Sequence, residues 1–142
     1  MTPTFRKRKD EAGLPAPVEL ALQRNVEAPA IARAAVSALC HEINLSGSQC
    51  QTLVLLVSEV VSNAVLHSTG PADSAITVTA KATEDLVRVT VIDAGGGFIP
   101  GERDPTRTDG GYGLYLLEKA ASRWGVDGNG PTSVWFELPR TA

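Results

Sequence analysis

Apolar and polar positions alternate at the start of the ordered-looking chain: Val18, Leu20 and Leu22 are separated by Glu19, Ala21 and Gln23, the period of a half-buried strand. Pro29 then stands where the first turn of a helix accepts it, and Ile31, Ala34, Ala35, Ala38 and Leu39 follow at helical spacing. Ser46 and Gln49 have the spacing of a capping box, which predicts a second helix running to about residue 68, with Thr69, Gly70 and Pro71 ending it. Ile76, Val78 and Ala80 alternate in one strand; Leu86, Val87, Val89, Val91 and Ile92 form the next. Thr83, Glu84 and Asp85 turn between them, so the two should make an antiparallel hairpin. Residues 98–110 carry Pro, Gly, Asp, Thr and Arg without apolar period and read as a loop. Leu114, Leu116, Leu117 and Ala120 mark a third helix that should finish near Trp124 and Gly125. Turn residues 127–130 then precede a last strand around residues 133–138. Hairpins mixed with helices, rather than strict strand–helix alternation, predict an α+β fold: a two-layer sandwich of one mostly antiparallel sheet with helices on one face.

Length and composition narrow this picture. The 142 residues suit one domain, expected over residues 18–142, behind a Pro- and charge-rich tail at residues 1–17 that is expected to be disordered. An apolar fraction of 43% with only 5% aromatic predicts a core of Val, Leu, Ile and Ala. A net charge of -3 leaves no basic footprint for nucleic acid. The one basic run, Arg6, Lys7, Arg8 and Lys9, reads as a solvated arm rather than a contact surface, being short and without an amphipathic partner. Cys40 and Cys50 lack C-x-x-C spacing and are expected to be reduced, partly buried thiols. No apolar stretch was expected to reach the length of a membrane span, and no hydrophobic region follows the charged N-terminus as in a secretory signal. The protein is therefore expected in the cytoplasm.

Three short motifs carry candidate chemistry. Glu59, Asn63 and His67 are spaced by four inside an otherwise apolar helix, so they share one stripe. A carboxylate and an amide there are costly to bury without partners. Asn63 offers a hard oxygen to magnesium, and Glu59 is placed to accept a proton from a group attacking a γ-phosphate. A ligand-free, hydrogen-bonded pair explains the helix equally well. Asp93 ends a strand and precedes Ala94, Gly95, Gly96 and Gly97. Glycines there let a ring approach the backbone, and the carboxylate can accept a hydrogen bond from the adenine amine. A glycine-rich turn capped by Asp is the simpler account of this motif alone. Gly110, Gly111 and Gly113 precede the third helix, whose N-terminal N–H groups could meet phosphate; a flexible hinge is the alternative. A dinucleotide-binding loop is excluded, since Leu116 stands where its third glycine would fall.

With these residues in order, the chain resembles the GHKL (Bergerat-fold) ATPase and kinase superfamily over residues 18–140. Residues 57–67 resemble its N box, residues 93–97 its D-x-G-x-G box and residues 110–126 its second glycine box, with residues 133–138 resembling a family strand. The nearest branch by resemblance is the anti-sigma-factor serine/threonine kinases. The resemblance implies Glu59 as general base and Asn63 as the magnesium ligand. It implies Asp93 on the adenine amine, with Gly95 and Gly97 shaping the pocket floor. Gly111 and Gly113 would let the lid reach the phosphates, Leu114 would begin the following helix, and Ser133 would stand where a Thr often helps hold adenine. His67 would pin the helix end.

Arg107 is the choice for a lid cation near the γ-phosphate, ahead of Arg103, although Asp109 lies just before the glycines. The lid, residues 98–110, is short, and no histidine-bearing dimerisation helix is present, so a complete sensor kinase is not expected. The resemblance thus implies ATP and Mg2+ as cofactors and transfer of phosphate to a serine on an anti-anti-sigma factor. A sigma factor would be the second protein partner. Neither a nucleic acid nor a membrane is expected as a direct partner, and a homodimer is allowed. The alternative is a nucleotide-binding switch that sequesters a sigma or anti-anti-sigma factor without catalysis. A third reading is a free-standing ATPase or a detached two-component catalytic domain.

Overall fold

A computed structural model describes residues 14–67, 71, 73–94, 113–127 and 131–141. The elements are β1 (Val18–Leu22), α1 (Ala28–Glu42), α2 (Gly47–His67), β2 (Ile76–Ala82), β3 (Leu86–Asp93), α3 (Gly113–Ala120), β4 (Arg123–Asp127) and β5 (Thr132–Pro139). They build a five-stranded sheet in the order β1-β2-β3-β5-β4, and every pairing described is antiparallel. β5 inserts between β3 and β4, so the connection through α3 passes over its position before β4 turns back beside it. The α+β sandwich read from the sequence is the observed architecture.

Strand alternation decides which face the helices cover. Ile76, Val78, Ala80 and Ala82 of β2, Val87, Val89 and Val91 of β3, and Val134, Phe136 and Leu138 of β5 are buried on one face. α1 adds Ala28, Ala32, Val36 and Leu39, and α2 adds Leu53, Leu56, Val57, Val60, Val61 and Ala64. α2 lies at the centre of the helical layer, touching α1, α3, β2, β3 and β5. Leu117, fully buried, anchors α3. Small Ala and Val side chains bring the layers close, and among the described residues Phe136 is the single buried aromatic of the core.

Helix ends follow local chemistry. Asn25 Oδ1 accepts from the Glu27 N–H at 2.9 Å ahead of α1. Asn44, at φ 55°, takes the left-handed turn after α1, while the Leu45 N–H returns to the Cys40 carbonyl at 2.9 Å. Ser46 Oγ accepts from the Gln49 N–H at 3.2 Å, realising half of the expected capping box. The Gln49 side chain instead donates to the Pro139 carbonyl at 2.6 Å, tying the start of α2 to the end of β5. Arg140 reinforces that end of the molecule, donating to the carbonyls of Thr83 at 2.7 Å and Ile43 at 3.0 Å. The expected turn is also built, with Thr83 Oγ1 accepting from the N–H groups of Asp85 and Leu86.

Two expectations need correction. The third helix stops at Ala120, and Arg123–Asp127 is the edge strand β4. Ser122 ends the helical run by donating from both N–H and Oγ to the Glu137 carbonyl, each at 2.9 Å, which aligns the following residues with β5. The second correction concerns α2, which is long and apolar enough, by length and composition, to cross a membrane. Its polar residues interrupt every apolar run, so run length alone missed it. Here it is the core helix of the domain, its buried stripe seated on the sheet.

Candidate nucleotide site

Glu59 and Asn63 of α2 and Asp93 of β3 lie toward one end of this sandwich. α2 starts beside Pro139, which pairs with Leu86 at the beginning of β3. Fourteen residues on at 1.5 Å each, Asn63 lies about 20 Å further along the helix. β3 covers a similar length, about 24 Å, before it ends at Asp93. Asn63 and Asp93 therefore approach the same end of the molecule, opposite to the end stitched by Gln49 and Arg140.

Asn63 is 5% exposed, and its Oδ1 is buried with no hydrogen-bond partner among the described residues. Such an acceptor carries a desolvation penalty of about 1–3 kcal/mol unless something binds it. Glu59, one turn earlier, is half-buried. At 100° per residue, both lie on one flank of the buried stripe of α2, while Cys50, Val54 and Ser58 lie on the other. His67 closes the last turn of α2, with Arg24 Nε donating to the nearby Val65 carbonyl at 3.3 Å.

Asp93 is 8% exposed and ends β3 on the helix-covered face, in line with Val87, Val89 and Val91. Its cross-strand partner is Thr132, 1% exposed. Ser133, the residue expected from the sequence to stand beside adenine, pairs with Ile92 and Asp127. The pleat turns Ser133 to the opposite face, so Thr132 is the hydroxyl that shares a face with Asp93. Sequence reasoning missed it because the shift is one residue, and only the β3–β5 register assigns the face.

Gly113 is the first residue of α3, and Leu114 the second. α3 packs beside α2, which brings its N-terminus into the same layer as Glu59 and Asn63. Gly95, Gly97, Gly111, Arg103 and Arg107 lie outside the described residues. Among the described residues, no group of three or more His, Cys, Asp or Glu side chains could form an all-protein metal centre. A magnesium ion held by one protein oxygen and by phosphate oxygens needs no such group, and the orphaned Asn63 Oδ1 has the hard-donor chemistry it requires.

The histidine kinase-like ATPase domain family matches residues 22–137, and the chain belongs to that family of ATP-binding, kinase-like domains. Among solved structures, the RsbU and RsbW domains of Rv1364c from Mycobacterium tuberculosis superpose with a TM-score of 0.71 at 25% identity, covering 87% of this chain and 32% of that one. The histidine kinase domain of the blue-light activated histidine kinase from Erythrobacter litoralis EL346 shares the fold with a TM-score of 0.54 at 24% identity, covering 80% of this chain and 61% of that chain. A longer structure of the same kinase gives 0.55 at 22% identity, covering 75% and 39%. The chain thus spans less than two thirds of each of these proteins. No curated protein matches the sequence significantly.

Proposed function

We propose that the domain, residues 18–142 behind the tail of residues 1–17, is a magnesium- and ATP-dependent serine/threonine kinase acting as an anti-sigma regulatory factor. Its substrate would be a serine on an anti-anti-sigma protein, and a sigma factor would be its second partner, all in the cytoplasm. What supports this branch is the likeness to a chain that carries an RsbW domain, the anti-sigma regulatory type. The observation that carries the chemistry is the buried, partnerless Asn63 Oδ1 one turn from Glu59.

In this reading Asn63 would hold a magnesium ion through its amide oxygen, and the ion would supply positive charge against the phosphates. Asp93 accepts the adenine amine and Thr132, rather than Ser133, stands beside it. Gly95 and Gly97 leave room for the ring, and Gly111, Gly113 and Leu114 bring the start of α3 to the phosphates. Arg107 stabilises the γ-phosphate. Glu59 takes the proton of the attacking serine hydroxyl, a role that contributes about 10²–10⁴-fold in rate. Because transfer rests on positioning and electrostatics, a domain of this size suffices.

The test is transfer of labelled γ-phosphate to a candidate anti-anti-sigma protein by the wild type and by Glu59→Ala. A loss of at least about 100-fold with nucleotide affinity retained supports the kinase. Transfer unchanged by Glu59→Ala overturns it. ATP binding without transfer by the wild type would establish the nucleotide-dependent partner switch instead.

A further inference from the structure

A groove lies away from the proposed nucleotide site, between α1 and α2. It measures about 540 Å³, and Cys40, His41, Leu45, Cys50 and Val54 are among its lining residues. Cys40 sits in the last turn of α1 and Cys50 in the first turn of α2. The tight connection through Asn44 folds the two helices back on each other, and both cysteines line the groove between them. Both cysteines are free. Cys40 is only 2% exposed, whereas Cys50 is half-buried and open to the groove. Neither has a part in the proposed phosphoryl transfer, and both lie on the flank of α2 turned from Glu59 and Asn63.

We propose that Cys40 and Cys50 form an oxidisable dithiol, a modification site at which a peroxide entering the α1–α2 groove links α1 to α2 by a disulfide. The accessible thiol reacts first. The Cys50 thiolate attacks one oxygen of hydrogen peroxide and breaks the O–O bond. Cys50 becomes a sulfenic acid, and the departing hydroxide takes up the proton released by the thiol, leaving as water. The Cys40 sulfur then attacks the Cys50 sulfur. The S–O bond breaks, the S–S bond forms, and the leaving hydroxide takes the Cys40 proton as a second water. Two thiols lose two electrons, and one peroxide becomes two waters.

The order of events follows from the environment of each thiol. Burial, first, and then the hydrogen bond to Cys50 push the Cys40 thiol up to about 12. Cys40 therefore keeps its proton, which leaves the more accessible Cys50 as the attacking sulfur. Cys40 is then in place to resolve the sulfenic acid before a second peroxide oxidises it further. The inference is independent of the nucleotide reading.

The full-length protein in native buffer is treated with hydrogen peroxide, alkylated under denaturing conditions and mapped by mass spectrometry. Both cysteines fall in the stretch between Arg33 and Lys81, which trypsin leaves whole, so cleavage after Glu42 is used to separate them. Expected is a Cys40–Cys50 link that dithiothreitol reverses, in monomer-sized species, with the circular dichroism spectrum retained. Cys40→Ser should leave Cys50 as a sulfenic acid trapped by dimedone. Cys50→Ser should slow the oxidation of Cys40 by at least about tenfold, since only the buried thiol remains. Intermolecular links, or a Cys50 sulfinic acid beside an untouched Cys40 in the wild type, would overturn the proposal. A link that forms only in denaturant would overturn it as well.

Discussion

Two buried polar side chains, Asn63 and Glu137, are each 5% exposed and each has an oxygen without a hydrogen bond, yet only Glu137 is flanked by arginines in ion-pair range. Glu137 sits on the sheet face that the helices leave uncovered, where its Oε2 is hydrogen-bonded and its Oε1, like Asn63 Oδ1, has no hydrogen bond but lies within ion-pair range of an arginine. Arg88 Nη1 is 2.8 Å from its Oε2, and Arg123 Nη1 is 3.5 Å from its Oε1. Both arginines are its register partners on the flanking strands β3 and β4. The same two guanidinium groups lie against Trp135, at 4.1 Å and 5.7 Å from the ring centroid. Asn63 has no such arrangement for its Oδ1. A buried carboxylate flanked by arginines on both neighbouring strands is an internal structural device. A buried amide oxygen without a hydrogen bond carries a desolvation cost that a bound ligand would offset.

The sharpest test of this contrast is a pair of truncations with opposite readouts. Asn63→Ala should cost at least about 100-fold in magnesium-dependent ATP affinity, measured by calorimetry, the upper end of what losing a group that supports a metal costs. Its melting temperature should be unchanged or raised, because the variant no longer buries an unsatisfied oxygen. Glu137→Ala should leave ATP affinity unaltered and lower stability by about 1 kcal/mol, since the arginines it frees are well exposed and can be hydrated. If Asn63→Ala destabilised the fold and spared nucleotide binding, the contrast would be broken.

A smaller effect separates the two faces of β5. Thr132→Val should weaken ATP affinity about tenfold, the loss of roughly one hydrogen bond of about 1.4 kcal/mol. Ser133→Ala, one residue along and on the opposite face, should change it by less than twofold. Equal losses at both positions would show that the register assigned to β3 and β5 does not orient the site.

The smallest effect concerns a third buried group, Cys40, which the fold keeps neutral. Its thiol is pushed up to about 12, chiefly by burial, from an unfolded value of 9.0. Between these two values the unfolded chain holds fewer protons than the folded one, so stability falls as pH rises through that window and is unaffected below it. Alkaline denaturant titrations should therefore show a steeper loss for the wild type than for Cys40→Ala. Identical slopes would show that burial of the thiol has no such linkage.

Local signals made much of the fold legible. The alternation in β1, β2, β3 and β5, the Ser46 cap and the Thr83 turn each depend on neighbours within a few residues, and each was readable from the chain. β4 was not. Trp124 and Val126 carry only a short alternation, and Gly125 argues against a strand by propensity. Its place becomes intelligible only across the sheet: a Cβ at Gly125 would come within 2.7 Å of Trp135 Nε1, so the glycine lets the indole of the paired strand lie over β4. Tertiary contact outranks propensity at that position.

The candidate site divides along the same line. Spacing within one helix put Glu59 and Asn63 on a common stripe, and the end of one apolar run marked Asp93, because helical and strand periods are local geometry. Which of Thr132 and Ser133 faces Asp93 depends on pairing between strands far apart in sequence. So does the isolation of Asn63 Oδ1 and the placement of Cys40 and Cys50 on one groove between two helices. Residue order determines which groups can share a face of one element; packing between elements determines which of those groups are buried, which are partnered, and which are left to meet a ligand or an oxidant.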